Sequence, residues 1–162
     1  MPRVATIGVY GFSAETFLEA LLLNDVRQLL DVRQRRGVRG TEYAWANAGR
    51  LTSALEEAGI EYRHHLDLAP TTEMRKLQYA VDAEQGVGKR NREELAPEYV
   101  ERYTADVLDR ADLDEVVAEL PAEGRAALMC VERDPEACHR SLIAARLAER
   151  HGVEVTHLRP PD

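Results

Sequence analysis

The sequence predicts an α/β fold: a single domain with a mostly parallel sheet of about five strands and helices on both faces. Five short runs rich in apolar and β-branched residues recur along the 162-residue chain. Longer segments with apolar residues at helical spacing separate them. This alternation is typical of parallel sheets, whose strands are joined by crossover helices. No linker or repeat divides the chain, so we expect residues 1–162 to form one domain.

The first half of the chain contains three predicted strands and two predicted helices. The first strand leads into a turn at Tyr10 with a glycine on each side, and Ser13 is a good N-cap for the helix that follows. In that helix the apolar residues fall on one face, and Gly59 is a natural stop for the next helix. The predicted strands span residues 4–9, 26–32 and 60–66, and the predicted helices begin after Ser13 and span 42–58.

The second half of the chain contains more helix and two further strands. Pro70 and Thr71 open a helix, and a longer helical region is expected to be interrupted near Arg110. The apolar run before Glu132 predicts a buried strand, and Gly152 should end the helix that follows it. These helices are predicted over residues 71–81, 97–120 and about 135–151, and these strands over 126–131 and 153–158.

The overall charge argues against a protein that grips nucleic acid with its whole surface. The net charge is −8 and the pI is about 5.2, whereas affinity for nucleic acid grows with the number of phosphates neutralised. A local basic patch is still compatible with this charge. Four arginines lie between Arg33 and Arg39, and they form either a solvated loop or an anion-binding loop at a strand end.

The segment 84–92 is polar and contains two glycines. Gly88 and Lys89 superficially resemble a phosphate-binding loop, but Ala83 and Arg90 stand where that motif needs glycine and Ser or Thr. We therefore reject the motif and expect either an ordinary surface loop or a lid that contacts a ligand or partner.

The N-terminal residues lack the long apolar run of a secretory signal, and no stretch approaches the roughly 20 apolar residues of a membrane span. We therefore expect a cytoplasmic protein that does not enter a membrane. In that compartment the two cysteines are expected to be reduced.

Polar residues follow the predicted strands and should meet at one edge of the sheet. Ligands of parallel α/β sheets gather beyond the carboxyl ends of the strands. Cys130 and Glu132 leave the same face of an extended backbone, and a helix that starts near Asp134 and Pro135 should follow them. The residues expected at this edge are Tyr10, Asp31, Arg33, Cys130, Glu132, Cys138, His139, Arg140 and His157.

These residue types favour an anion site with acid–base chemistry, of the kind that hydrolysis or group transfer needs. Arg33 and Arg140 would hold an anionic small molecule or a nucleic-acid phosphate, and Glu132 and His139 would exchange protons. The other candidate catalytic residues are Cys130 and Asp31, and the other candidate ligand contacts are Tyr10, Cys138 and His157. The alternative is a non-catalytic nucleic-acid or protein-binding module, in which Glu132 pairs with an arginine and the polar residues form a structural network.

The cysteines and the neighbouring histidine do not, by spacing, predict a metal site. Seven residues separate Cys130 from Cys138, and adjacent Cys138 and His139 should diverge on a helix. We therefore expect no metal and leave any cofactor open. A disulfide is geometrically conceivable, and two small buried thiols are the simplest alternative.

Four segments resemble one family. TIG near the start, LLDVR in the second strand, GIEYRHHLDL in the third, and LMCVERDPEACHRSLIA near the end resemble the bacterial and archaeal family called "domain of unknown function 488". The resemblance implies a compact α/β domain with no settled activity. It points to Asp31, Arg33, Cys130, Glu132, Cys138, His139 and Arg140 as the matching motif positions.

Overall fold

The computed structural model describes residues 2–161 and confirms the predicted α/β architecture. All five strands are parallel and lie in one sheet in the order β3-β2-β4-β1-β5. The strands are β1 (Arg3–Gly8), β2 (Val26–Asp31), β3 (Glu61–His64), β4 (Arg125–Cys130) and β5 (Glu154–His157). The helices are α1 (Ala14–Leu23), α2 (Ala48–Glu57), α3 (Thr72–Glu84), α4 (Pro97–Tyr103), α5 (Leu113–Ala118) and α6 (His139–His151).

The strand order creates a crevice at the carboxyl edge of the sheet. The chain leaves β2 through α2 towards one edge and leaves β4 through α6 towards the other. Because parallel crossovers are right-handed, α1 and α2 cover one face and α3 to α6 cover the opposite face. Adjacent strands whose connections leave in opposite directions open a ligand-binding crevice between them. Here those strands are β2 and β4.

The sheet is held by an apolar core that rises from its central strands. Ala126 to Met129 in β4 are completely buried, as are Val4, Ala5 and Ile7 in β1. Such continuous apolar runs are typical of strands covered on both faces. The carboxyl ends of these strands are therefore fixed in position, as a site built on them requires.

Three predicted helices differ in detail from the observed ones. The helix expected over 42–58 is a short 3-10 turn (Ala44–Ala46) followed by α2, and the Asn47 backbone between them is extended. The interruption expected near Arg110 is a π-helical segment (Thr104–Leu108) followed by a turn that ends at Asp112, the N-cap of α5.

The third difference bears on the site. Pro135–Ala137 forms a separate 3-10 turn, and Cys138 has an extended backbone before α6 begins. The predicted stop at Gly152 is confirmed, since this residue adopts a left-handed conformation with φ of 64°. Over the residues described, no helix combines the length and apolar character needed to cross a membrane.

Candidate functional site

A cavity of about 560 Å³ lies beyond the carboxyl ends of β1, β2 and β4. Tyr10, Arg33 and Glu132 enter its lining from the segments that follow these strands, and Cys130 enters from the last position of β4. The opposite wall comes from α3, from the loop that precedes α4, and from Tyr99 of α4. The volume is in the range of sites for small molecules. The cavity thus lies at the crevice that the strand order predicts.

The cavity lining is strongly positive although the whole chain is acidic. Glu132 is the only carboxylate among the lining residues, which also include eight arginines and lysines. Both lysines of the sequence, Lys76 and Lys89, are in this set. The basic side chains are Arg33, Arg35, Arg39, Arg75, Lys76, Lys89, Arg90 and Arg92. Focused charge of one sign in a concave site attracts ligands of the opposite sign.

Five of these eight basic side chains carry charge that no ion pair neutralises. Arg35, Arg39, Arg75, Lys76 and Lys89 form no ion pair with any residue between 2 and 161. Lys89 is also half-buried beside Glu132, and burial lowers its pKa less than nearby negative groups, Glu132 first, raise it. Its ammonium group is therefore charged at neutral pH and available to an anion.

Arg33, by contrast, is committed to the protein itself. Its Nε and Nη2 donate to the two carboxylate oxygens of Asp31 at 2.9 and 2.8 Å, and its Nη1 donates to the Ala46 carbonyl at 3.0 Å. Asp31 is fully buried and also accepts a hydrogen bond from Tyr62. Arg33 therefore lies in the cavity lining with its hydrogen-bond donors already engaged by the protein, and it forms a structural unit with Asp31. The structure gives no support to Asp31 as a catalytic group or to Arg33 as the main anion contact.

Glu132 is fixed on the cavity wall by Arg92. Arg92 Nη2 donates to Glu132 Oε1 at 2.8 Å, and Arg92 Nη1 donates to Asp82 at 2.7 Å. All three side chains are nearly completely buried. The second carboxylate oxygen, Glu132 Oε2, has no hydrogen-bond donor among the residues described. An unpaired buried carboxylate oxygen is costly, so this atom is a natural contact for a donor brought by a ligand.

Burial raises the pKa of the Glu132 carboxyl, and the nearby Cys138 sulfur adds to this effect. The positive charges of Lys89, Arg92 and His139 lower it less. A carboxyl group with a raised pKa, held by an arginine at the edge of a cavity, is a candidate acid–base group.

A cluster of two sulfurs and an imidazole lies at the end of β4, next to Glu132. His139 Nδ1 is 3.9 Å from Cys130 Sγ and 3.8 Å from Cys138 Sγ. His139 Nε2 is 2.8 Å from the Val32 carbonyl, which can only accept, so Nε2 carries the proton and Nδ1 faces the sulfurs. All three residues are buried, and both cysteines are free thiols. Cys130 and His139 line the cavity.

The prediction that Cys138 and His139 diverge is wrong. Divergence assumed that both residues were helical, but Cys138 is the N-cap of α6, with φ of −140° and ψ of 145°. The extended backbone turns its side chain towards His139. The donor atoms of Cys130, Cys138 and His139 all lie within 4.8 Å of one another, which makes this the one group in residues 2–161 able to hold a metal ion.

The ionisation of the cluster is asymmetric. A hydrogen bond to Cys138 and burial hold the pKa of the Cys130 thiol well above its usual range. Burial also opposes ionisation of Cys138, but the hydrogen bond from Cys130 and the charges of His139 and Arg140 outweigh it, so its pKa lies well below the usual range. Burial lowers the pKa of His139 less than the Cys138 sulfur raises it. Cys138, at the N-terminus of α6, is thus the more acidic of the two thiols.

Arg140 does not reach the cavity. It is completely buried, and its Nη1 and Nη2 donate to the carbonyls of Glu132 and Arg133 at 2.6 and 3.1 Å. A Cβ at Gly8 would meet both the Glu132 carbonyl and Arg140, so this crossing also requires glycine. Contrary to the sequence prediction, Arg140 braces the segment that carries Glu132 and does not hold an anion.

The two remaining residues predicted to contact a ligand, Tyr10 and His157, lie in different parts of the structure. Tyr10 lines the cavity, and the Arg90 guanidinium carbon lies 5.1 Å from its ring centre. His157 lies on the edge strand β5, outside the cavity lining, and Thr6 Oγ1 is 2.7 Å from its Nδ1. The structure therefore brings together Tyr10, Cys130, Glu132 and His139 but leaves His157 elsewhere.

The cationic wall opposite the sheet is not predicted by the sequence patterns. Arg75 and Lys76 belong to α3, whereas Lys89, Arg90 and Arg92 belong to the loop that was considered as a lid. Arg92 anchors this loop under the cavity through its buried ion pairs. One signal was available: the only two lysines of an arginine-rich chain both lie in this region.

Comparison with known proteins identifies the family of the chain. No curated protein and no solved structure matches the chain. The model of a protein family described as "Domain of unknown function DUF488" matches residues 13–147. This match includes β2, β3, β4 and most of α6, and hence most of the cavity wall. The chain therefore belongs to the DUF488 family.

Proposed function

We propose that this protein binds a phosphate-bearing small molecule of nucleotide size in the cavity beside Glu132. The observation that carries the proposal is the charge of the lining: eight arginines and lysines against one carboxylate, in a chain with a net charge of −8. Positive side chains that are concentrated in one cavity repel one another, which destabilises the folded protein. A bound anion offsets this repulsion.

The shape of the cavity favours a small molecule over a nucleic-acid strand. Its volume of about 560 Å³ suits a ligand that is largely enclosed. Binding of a long strand is favoured by an extended basic surface, whereas the net charge of this chain is −8. The anion class proposed from the sequence is thereby narrowed to mononucleotides and similar phosphate esters.

The polar and aromatic groups of the lining suit the rest of a nucleotide. Glu132 Oε2 lacks a donor, and a sugar hydroxyl or a base N–H could supply one. Tyr10, Tyr79 and Tyr99 also line the cavity and offer aromatic surface to a base. A plain inorganic anion would use the cations but neither of these features.

Glu132 is the best candidate for chemistry on the bound ligand. Arg92 fixes one of its oxygens and leaves the other without a protein partner, which is the arrangement of an oriented general base or acid. Asp31 and Arg140 have no comparable position. Hydrolysis or transfer of a phosphate-linked group is the class of reaction we propose.

The binding proposal is tested by calorimetric titration with ADP, AMP, inorganic phosphate and uncharged adenosine. We expect ADP to bind more tightly than AMP or inorganic phosphate, and adenosine to bind weakest, because the cavity selects charge first. Equal affinity for ADP and adenosine, or no binding of any phosphate-bearing probe, would contradict the proposal.

The catalytic proposal is tested separately with Glu132→Gln. This variant should bind ADP within a few-fold of the original chain but lose turnover of any phosphate ester that the original chain hydrolyses. The competing function, a non-catalytic binding module, is favoured by the ion pairs that Arg92 makes with Glu132 and Asp82. In that case the substitution would change stability alone.

A further inference from the structure

We propose that Cys130, Cys138 and His139 form a zinc site whose fourth coordination position opens towards the cavity. The three donors come from two elements that the fold brings together, the end of β4 and the start of α6. The proposal goes beyond the anion site described above and does not depend on it.

The two sulfur–nitrogen distances fit tetrahedral coordination. Zinc binds thiolate sulfur at about 2.3 Å and imidazole nitrogen at about 2.0–2.1 Å, so a tetrahedral sulfur–nitrogen edge is about 3.6 Å. The two observed sulfur–nitrogen distances from His139 Nδ1 are 3.8 and 3.9 Å. All three donor atoms lie within 4.8 Å of one another. A shift of a few tenths of an ångström would bring both sulfur–nitrogen edges to the length that zinc needs.

The imidazole is already oriented as a ligand. Metal-binding histidines usually donate their second ring N–H to a carbonyl or carboxylate, which fixes the tautomer and the ring. His139 Nε2 makes this bond to the Val32 carbonyl at 2.8 Å. Its Nδ1 therefore points at the two sulfurs, where a metal ion would take the place of a proton.

The donor set selects zinc and leaves one position open. Two thiolates and one neutral imidazole are soft to borderline donors that suit Zn²⁺, and their charge neutralises it. The described residues contain no fourth cysteine, histidine or carboxylate donor within the cluster. Structural zinc sites are closed by four protein ligands, whereas three ligands and an open position are typical of sites that bind water or substrate.

The open position faces the cavity because two of the three ligands line it. Cys130 and His139 belong to the lining, whereas Cys138 is sealed behind them at the helix N-terminus. A water molecule or a ligand oxygen in the cavity can therefore complete the tetrahedron.

Cobalt is the probe for this site because tetrahedral thiolate coordination gives Co²⁺ strong visible absorption and sulfur-to-metal charge-transfer bands. We expect the reduced, metal-free chain to bind one Co²⁺ with this spectrum and Zn²⁺ to displace it. Cys130→Ser and Cys138→Ser should each weaken binding at least about 100-fold, since loss of an outer partner alone typically costs 10–100-fold. A His157→Gln control, which changes a histidine outside the cluster, should behave like the original chain.

A second measurement uses only the original chain, so it tests the zinc site even if the cysteine variants fail to fold. One equivalent of Zn²⁺ should protect the Cys130 thiol, which lines the cavity, from a small thiol reagent under native conditions. A cobalt spectrum without thiolate bands, a stoichiometry well below one, or a Cys130 thiol that reacts equally with and without Zn²⁺ would overturn the proposal.

The zinc proposal and the anion proposal can be tested independently of each other. Lys89→Ala should lose affinity for ADP but keep the cobalt spectrum. Cys138→Ser should lose the cobalt spectrum but keep most of its affinity for ADP, because the basic side chains of the lining are unchanged. If the original chain binds ADP but not Co²⁺, or Co²⁺ but not ADP, the missing property therefore identifies which proposal is wrong.

Discussion

Two sets of basic side chains lie in or behind the cavity wall and differ in whether protein groups already accept their hydrogen bonds. In the first set, Arg33 and Arg140 are 2% and 0% exposed, and each donates to protein acceptors fixed around it. In the second set, Lys89 and Arg35 line the cavity with no ion-pair partner in residues 2–161. The first set supports the segments that form the cavity, and the second set is available to a ligand. Residue type is therefore a poor guide to role, whereas the presence or absence of a protein partner separates structure from function.

The largest effect is expected when Arg33, a member of the first set, loses its ion-pair partner. Asp31→Ala leaves the buried Arg33 guanidinium without its counter-charge, and removing one partner of a buried ion pair typically costs about 3–5 kcal/mol. We expect a loss of this size in the free energy of unfolding, measured by urea denaturation. A loss below about 1 kcal/mol would show that Arg33 is not held as a structural residue.

Arg140→Met should be the next largest. It keeps the apolar stem but removes the donors to the carbonyls of Glu132 and Arg133. Of these two hydrogen bonds only the one to Glu132 is fully buried, and an unpaired buried acceptor costs about 1–3 kcal/mol. Urea denaturation should show a loss in this range. An unchanged free energy of unfolding together with a large loss of ADP affinity would return Arg140 to the role of an anion contact.

Removing a positive charge from the second set should weaken ADP binding and leave the free energy of unfolding almost unchanged. Arg35→Ala and Lys76→Ala should each weaken ADP binding up to about tenfold, since a hydrogen bond to a charged group contributes roughly 1.5 kcal/mol or more. Their unfolding free energies should stay within about 0.5 kcal/mol of the original, as is usual for surface substitutions. ADP affinity should also fall as salt is raised, because screening weakens exposed charges. Affinity that does not respond to salt or to these substitutions would remove the distinction between the two sets.

The smallest effect is expected at an arginine outside both sets. Arg159 pairs with Asp134 and Glu136 on the surface, and its side chain is 51% exposed. Exposed ion pairs contribute about 0–1 kcal/mol, so Arg159→Ala should change neither unfolding nor ADP binding by more than this. A large effect on ADP affinity would mean that charge anywhere on the surface governs binding.

The fold was predictable because its signals are local. Apolar runs, N-cap residues such as Ser13 and the stop at Gly152 each specify their own element, and strand–helix alternation fixes a parallel sheet. The exceptions arise where tertiary packing overrides local pattern, as in the π-helical segment Thr104–Leu108. Helical spacing alone does not distinguish that segment from an ordinary helix.

The site was predictable only on the side formed by the sheet. Tyr10, Cys130 and Glu132 follow strands, so the rule for parallel sheets locates them at the cavity. The opposite wall is formed by residues between β3 and β4, and no local pattern shows that Lys89 or Arg92 lies across from Glu132. For the same reason the sequence shows that Asp31 and Arg140 are charged but does not show which protein groups they bond to.

Charge reversal at Lys89 is the sharpest test of an anion site, because affinity and stability can be measured on the same variant. In Lys89→Glu we expect ADP affinity to fall by about 100-fold, roughly 2.7 kcal/mol, and the free energy of unfolding to fall by much less, the smaller loss arising because the new carboxylate lies near Glu132. A variant that binds ADP as well as the original chain, or that loses stability in proportion to affinity, would contradict the claim that this cavity is an anion site.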